Sequence, residues 1–355
     1  MLKKLLNKLK KNYHDHQAIW RYILIGLTVV LVAWLGWIWW SIDQAVQRSQ
    51  LDSKSSSEPA VKFVASPLTG INVSEELAKR PVIAVQVENS PEARPQSGLE
   101  DAGVIFEAIA EAGITRFSVY YQEAKFDKIG PIRSLRPYYI DWAKGFDASI
   151  LNTGTSVQAR QLISKVGIRD LNVGGAWYRA SDRFAPHNAY ASYDDVAKIM
   201  KDRGWYDEPD FTPLLRKDAS PLETPTASSI SVDISSALYN ISYAYSPGCN
   251  CYRRSQAGNP HKERESGQQL SPDVVVVLKT PHSVISGVGH LGIDTIGSGT
   301  AFIFQDGGVQ KVTWKKSSRA AQIKFTDSDG EAVGLNPGQT WFTVVNTDRP
   351  VTYKP

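Results

Sequence analysis

Arg94, Arg116, Arg133 and Arg136 stand at turns or element ends within one short stretch of the chain. Arg94 precedes Pro95 and Arg136 precedes Pro137, which pushes both backbones toward extended conformations. Pro137 suits the first position of a helix, and such a helix would set Arg133 and Arg136 beside unpaired N–H groups and a positive dipole end. Guanidinium forks match carboxylates and phosphates. The four arginines, with Asn89 in the same run and His187 on a later loop, are therefore the candidate ligand-binding set, and the ligand would be an anion. The competing reading pairs the same arginines with Glu88, Glu107, Glu111 and Asp141 as structural ion pairs, because charges that leave water are expected to be paired.

Glu107 and Glu111 are the candidates for acid and base. Four residues apart, they share a face on a helix and again on a strand, and neighbouring carboxylates can divide into an acid and a base, as glycan cleavage requires. Ser90 and Ser97 have no recognised nucleophile setting and read as turn residues beside Pro91 and Gly98. His187 lies in Arg183-Phe-Ala-Pro-His-Asn-Ala-Tyr190, a loop with the composition of a binding loop, but no cysteine or placed serine accompanies it as a nucleophile. Cys249-Asn-Cys251 reads as free thiols or a local disulfide. Adding His261 makes only a weak zinc pattern, so no metal and no cofactor is expected.

The elements that must hold these residues fall into two patterned regions. Residues 80–216 read as mixed α/β, with apolar, β-rich runs at Val82–Val87, Gly103–Ile109, Thr115–Tyr121 and Ala148–Asn152. Helical spacing appears over Pro137–Lys144, Val157–Val166 and Tyr193–Arg203. A Pro-, Ser- and Thr-rich segment, 217–229, is the expected linker. Residues 230–355 form a β-rich second domain, with strands expected at Ser229–Ile234, Asp273–Lys279, Thr300–Gln305, Val309–Lys315 and Thr340–Val345. Its turns include Asp306-Gly307-Gly308. The fold class is α/β, a layered mixed-sheet domain beside a smaller, mostly-β one.

Tyr22 to Ile42 is an uncharged run of 21 residues, about 31 Å as a helix, enough to cross the hydrocarbon core of a bilayer. Residues 1–21 carry Lys3, Lys4, Lys8, Lys10, Lys11 and Arg21 against Asp15, so the positive-inside rule puts that tail in the cytoplasm and the bulk outside. The apolar run is too long for a cleaved signal peptide and ends in Trp37, Trp39 and Trp40. No cysteine follows it for lipid attachment, so the helix itself is the expected anchor. Residues 43–79 read as a flexible stalk. The whole chain is +4 with 40 bases and 36 acids; beyond residue 42, 34 bases face 35 acids. The external part thus lacks the electrostatic footprint of a nucleic-acid binder.

Three runs, RPVIAVQVENSPEARPQSGL from Arg80, GVIFEAIAEAGITRF from Gly103 and IGPIRSLRPYYIDWA from Ile129, resemble the amino-terminal half of the YerB-like family of bacterial envelope lipoproteins. Tyr252-Arg-Arg, Gly258-Asn-Pro-His261, Val274–Leu278, Gly297-Ser-Gly299, Val312-Thr-Trp314 and Leu335-Asn-Pro-Gly-Gln-Thr-Trp341 resemble its second half in the same order. The resemblance runs from about Arg80 to Thr352. It implies a layered α/β domain beside a β-rich one, tethered outside a bacterial membrane, with cell-wall polymers or wall-synthesis proteins as partners. It supplies no catalytic residues. This chain departs from the family in having a transmembrane helix in place of the lipid, and in the Cys249-Asn-Cys251 insertion at a turn. The sequence favours a non-catalytic, anion-binding envelope protein; the alternative is an envelope hydrolase or transferase that uses Glu107 or Glu111.

Overall fold

The computed structural model describes residues 2–15, 17–55, 61–285 and 291–355. The chain divides into two compact units, Met1–Val61 and Lys62–Pro355.

The first unit holds two helices, α1 (Leu2–Asp15) and α2 (Gln17–Ser55). α2 is long and apolar enough to cross a membrane, and its two central hydroxyls bond back to the helix, Thr28 to the Leu24 carbonyl and Ser41 to that of Ile38, each at 2.8 Å. Such back-bonding satisfies a hydroxyl where no water is available. The helix also runs on through Asp43–Ser55, assigned above to the stalk, because that segment contains neither Pro nor Gly to stop it. Residues 56–60 of the expected stalk lie outside the described residues.

Among the described residues, the second unit has two large sheets and three two-stranded ones. The strands of the two large sheets, in chain order, are β1 (Ile83–Glu88), β2 (Val104–Glu111), β3 (Ile114–Tyr121), β4 (Ser149–Leu151), β5 (Ser229–Val232), β6 (Ile241–Ser246) and β7 (Cys251–Gln256). They continue as β8 (Asn259–Pro260), β9 (Val274–Lys279), β10 (Gly297–Gln305), β11 (Gly308–Lys316), β12 (Lys324–Thr326), β13 (Thr340–Val345) and β14 (Val351–Lys354). The larger, mixed sheet has the order β12-β11-β10-β9-β13-β2-β3-β1-β4, and the smaller one β8-β7-β6-β5-β14. The 217–229 segment is therefore no boundary within the large sheet, since β13 pairs in parallel with β9 on one side and with β2 on the other. Lys217 is itself fixed, its Nζ 2.6 Å from Asp306 and 2.7 Å from Asn336.

Helices α3 (Pro137–Lys144) and α4 (Val157–Val166) belong to one face of the sheet, where Phe106 stacks between Trp142 (4.8 Å) and Phe342 (4.4 Å). The opposite face packs Ile83, Val85, Ile105 and Trp341 with α5 (Tyr193–Asp202), while Val275, Val277 and Phe304 pack under the smaller sheet. Buried on both faces, the central strands read as continuous apolar runs.

Residues 62–79 also depart from the stalk expectation. Phe63–Ala65 and Asn72–Ser74 pair antiparallel, and the buried Leu68 gives its carbonyl to Arg216 Nη2 at 2.5 Å. The expectation rested on polar composition, which does not register one anchoring leucine.

Candidate functional site

β1 ends at Glu88, and the turn that follows carries Asn89 and Ser90. From this point two different polar arrangements grow, one sealed and one open.

The sealed arrangement is a closed ring of five side chains. Arg254 Nη2 donates to Glu107 Oε2 at 2.6 Å, and Arg254 Nη1 donates to His261 Nδ1 at 2.7 Å. His261 Nε2 donates to Gln96 Oε1 at 2.8 Å, Gln96 Nε2 to Asn89 Oδ1 at 2.9 Å, and Asn89 Nδ2 to Glu107 Oε1 at 3.3 Å. An arginine can only donate, so Nδ1 of His261 must accept and its proton sits on Nε2. Glu107, Arg254, Gln96 and Asn89 have no solvent exposure and His261 has 5%. Burial, followed by the Arg254 and Arg94 charges, holds the His261 imidazole well below its ordinary 6.5. The guanidinium of Arg254 lies 4.5 Å from the Trp341 ring, a contact that replaces water on its flat face. Asn89, Gln96 and Glu107 come from the first half of the sequence, Arg254 and His261 from the second.

The open arrangement surrounds Glu88. Arg133 Nε lies 3.2 Å from Glu88 Oε1, Ser90 Oγ donates to the same oxygen at 3.0 Å, and His187 Nδ1 lies 3.0 Å from Oε2. Arg94 donates from Nε to Asn89 Oδ1 (3.2 Å) and from Nη2 to the Asn89 carbonyl (2.9 Å), with Tyr239 under its guanidinium. The Arg133 and His187 side chains keep 28% and 23% of their surface. Among the described residues, no protein group engages Arg133 Nη1, Arg133 Nη2, Arg94 Nη1 or His187 Nε2.

Of the four arginines, then, only Arg94 and Arg133 reach the same rim. Arg116 and Arg136 are buried and turned to Glu111, Arg116 Nη2 at 2.9 Å, while Arg116 Nη1 donates to the Ser134 carbonyl at 2.7 Å. Pro137 does open α3, as expected, but the carboxylate gathered by Arg116 and Arg136 is the protein's own. Burial alone would raise the Glu111 carboxyl; the two guanidiniums outweigh it and hold the group below the usual carboxylate range.

The expected pairing of Glu107 with Glu111 does not form. β2 shifts register against β3 between Ile109 and Glu111, and a bulge breaks the two-residue alternation. Glu107 consequently points to Arg254 and Glu111 to Arg116 and Arg136. Glu107 has no exposed surface to offer a substrate, and both carboxylates are committed to guanidiniums. Nor do Ser90, His187 and Glu88 make a nucleophile relay, since Ser90 Oγ, at 3.5 Å, and Glu88 approach the same imidazole nitrogen. A relay needs the two partners on opposite nitrogens.

Arg254, Gln96 and Glu88 were not among the residues singled out for a site. Arg254 carried one readable sign, its place with Tyr252 and Gln256 in a Cys251–Gln256 run whose alternate residues are buried. Cys249 and Cys251 are joined as a disulfide. Among the described residues no group of three or more His, Cys, Asp or Glu side chains is arranged to hold a metal ion.

Comparison with known proteins bears on the whole of the second unit. Residues 68–206 match the profile described as "Protein of unknown function (DUF3048) N-terminal domain", and residues 230–342 match its C-terminal counterpart. The chain is 30% identical over 299 residues to the Bacillus subtilis (strain 168) protein named "Putative lipoprotein YerB", covering 82% of this chain and 89% of that one. The chain belongs to the YerB-like, DUF3048 family. Its fold is similar to the crystal structure of YerB from Bacillus subtilis, with a TM-score of 0.74 over 81% of this chain and 99% of that one.

Proposed function

We propose that this YerB-like chain is a non-catalytic protein of the bacterial envelope, anchored by α2 with its bulk outside, that binds an anionic cell-wall component at the Glu88 rim. The observation that carries the ligand reading is the set of uncommitted guanidinium donors, on Arg133 beside Glu88 and on Arg94 beside the adjacent Asn89. The local balance is close to even, because Glu92 on the same turn adds a second acid to Glu88 against the two guanidiniums. Recognition therefore rests on directed N–H groups instead of a broad positive field, which favours a single carboxylate or phosphodiester presented by the wall. Peptide stems and linking polymers of the wall carry such groups.

The orientation is supported by α1. Leu2, Leu5, Leu6 and Leu9 lie on one exposed stripe, with Lys3, Lys4, Lys8, Lys10 and Lys11 around the rest. A helix of this kind suits the surface of an anionic inner leaflet and agrees with the positive-inside reading.

The test is calorimetric titration of the full-length protein in nanodiscs with purified muropeptides, alongside analysis of the products. Heat without fragment release, reduced about tenfold or more in Arg133→Ala, is the expected result; tenfold corresponds to about 1.4 kcal/mol. Released fragments that disappear in Glu107→Gln would instead establish a hydrolase, and no heat with any muropeptide would remove the rim as a binding site for this component.

A further inference from the structure

The Cys249–Cys251 disulfide closes a ring through one residue, Asn250, at the turn between β6 and β7. A cross-link this short ties no two distant segments together, so it removes little freedom from the unfolded chain, and the entropic benefit that explains most structural disulfides is near its minimum. The turn does not depend on it for shape either. Asn250 Nδ2 donates to Asp306 Oδ1 at 2.9 Å, and Tyr245 Oη donates to Asn250 Oδ1 at 2.8 Å. Asp306 is in turn fixed by Lys217 and Asn336. The residue between the two sulfurs is thus clamped from both ends of its side-chain amide, at a left-handed φ of 50°.

The two sulfurs are also unequal. Cys249 is exposed, while Cys251 has 5% exposure. Both line an open cleft of about 520 Å³ with Arg253, Gln269, Asp273 and Glu100, roomy enough for an extended peptide segment. The Ser246 carbonyl lies 3.5 Å from Cys249 Sγ, placed to accept from the thiol once the bond is open. Exposed disulfides are the ones that exchange.

We propose that Cys249–Cys251 is a thiol–disulfide exchange site whose substrates are dithiols of extracytoplasmic polypeptides, entered through Cys249 and held in register by Asn250. A substrate thiolate attacks Cys249 Sγ, forming a mixed disulfide and breaking the bond to Cys251, which leaves as thiolate and takes up a proton. The second substrate thiolate then attacks the substrate sulfur of the mixed disulfide, and Cys249 departs in the same way. The substrate loses two electrons and two protons and gains a disulfide; the cysteine pair gains both electrons and both protons. Run in reverse, the dithiol reduces a substrate disulfide. The site is separate from the Glu88 rim, and the inference stands whether or not the rim binds wall material.

The experiment incubates the oxidised full-length protein in detergent with a synthetic peptide bearing two cysteines, with alkylation and mass spectrometry of both partners. One peptide disulfide formed per protein, with unchanged far-ultraviolet circular dichroism, is expected. In Cys251→Ser, a mixed disulfide to an oxidised peptide should accumulate on Cys249, whereas Cys249→Ser should trap several-fold less on the buried Cys251. Asn250→Ala should slow re-closure of the reduced pair several-fold without lowering the thermal midpoint by more than a few degrees. A disulfide that opens only in denaturant, or equal trapping on the two cysteines, would overturn the proposal.

Discussion

The ring around Glu107 and the rim around Glu88 start from adjacent residues on one turn, use the same side-chain types, and reach opposite ends. In the ring, the carboxylate, amide and imidazole ends all meet partners, Arg254 Nε is left as a buried donor without an acceptor, and no member has more than 5% exposure. At the rim, the carboxylate is satisfied but the guanidiniums of Arg133 and Arg94 keep N–H groups for something else. A buried arginine is therefore no guide to a ligand site by itself; donors that are left unserved by the protein and still face solvent are.

Breaking the ring should have the largest effect on this contrast. Arg254→Leu leaves Glu107 buried without its counter-charge, and removing one partner of such a pair costs about 3–5 kcal/mol. Denaturant unfolding of the full chain would measure it, with little effect expected on rim binding in whatever fraction stays folded. Glu111→Gln, which strips two arginines of their shared anion but at a partly exposed position, should cost less, about 1–3 kcal/mol.

Acid sharpens the contrast further. His261 is held neutral in the fold, with its proton affinity well below the ordinary 6.5, so the unfolded chain takes up the proton first. Stability is unaffected above pH 6.5 and falls as pH drops below it toward the folded value, by up to about 1.4 kcal/mol per pH unit from this group. His282, which burial pushes down to about 4, contributes in the same direction, so the slope should be reduced in His261→Gln and lost only when His282 is replaced as well. The smallest stability effect belongs to the rim: Arg133→Ala should change the unfolding free energy by no more than about 1 kcal/mol, while producing the binding loss described above. If it destabilises as Arg254→Leu does, the rim is a second sealed site and the distinction collapses.

Much of the scaffold was legible in the sequence. Pro137–Lys144 and Val157–Val166 form helices over the residues read from apolar spacing and the Pro start, and the strands around Val85, Val119, Val276 and Phe342 follow from short, mostly apolar, β-rich runs. β6 and β7 were not anticipated, because Ile241, Tyr243 and Tyr252 alternate with Ser, Ala and Arg in runs of mixed polarity. The site was less legible for two reasons. A bulge has no compositional mark, so the flip of Glu111 could not be read from Ala108-Ile-Ala-Glu111. The ring closes between Gln96 and His261, 165 positions apart, and no local spacing encodes a contact of that range. The candidates Asn89, Arg94, Arg133 and His187 do gather around one turn; Arg116 and Arg136 answer to Glu111 instead.

The placement of β13 between β9 and β2 has a consequence for the order of events at birth. β2 leaves the ribosome long before Thr340–Val345 exists, so its edge stays bare through most of synthesis, an invitation to the wrong neighbour. A stop codon anywhere before that strand would release a chain with its central seam open, because the strand that fills it, itself only six residues long, comes late in the sequence.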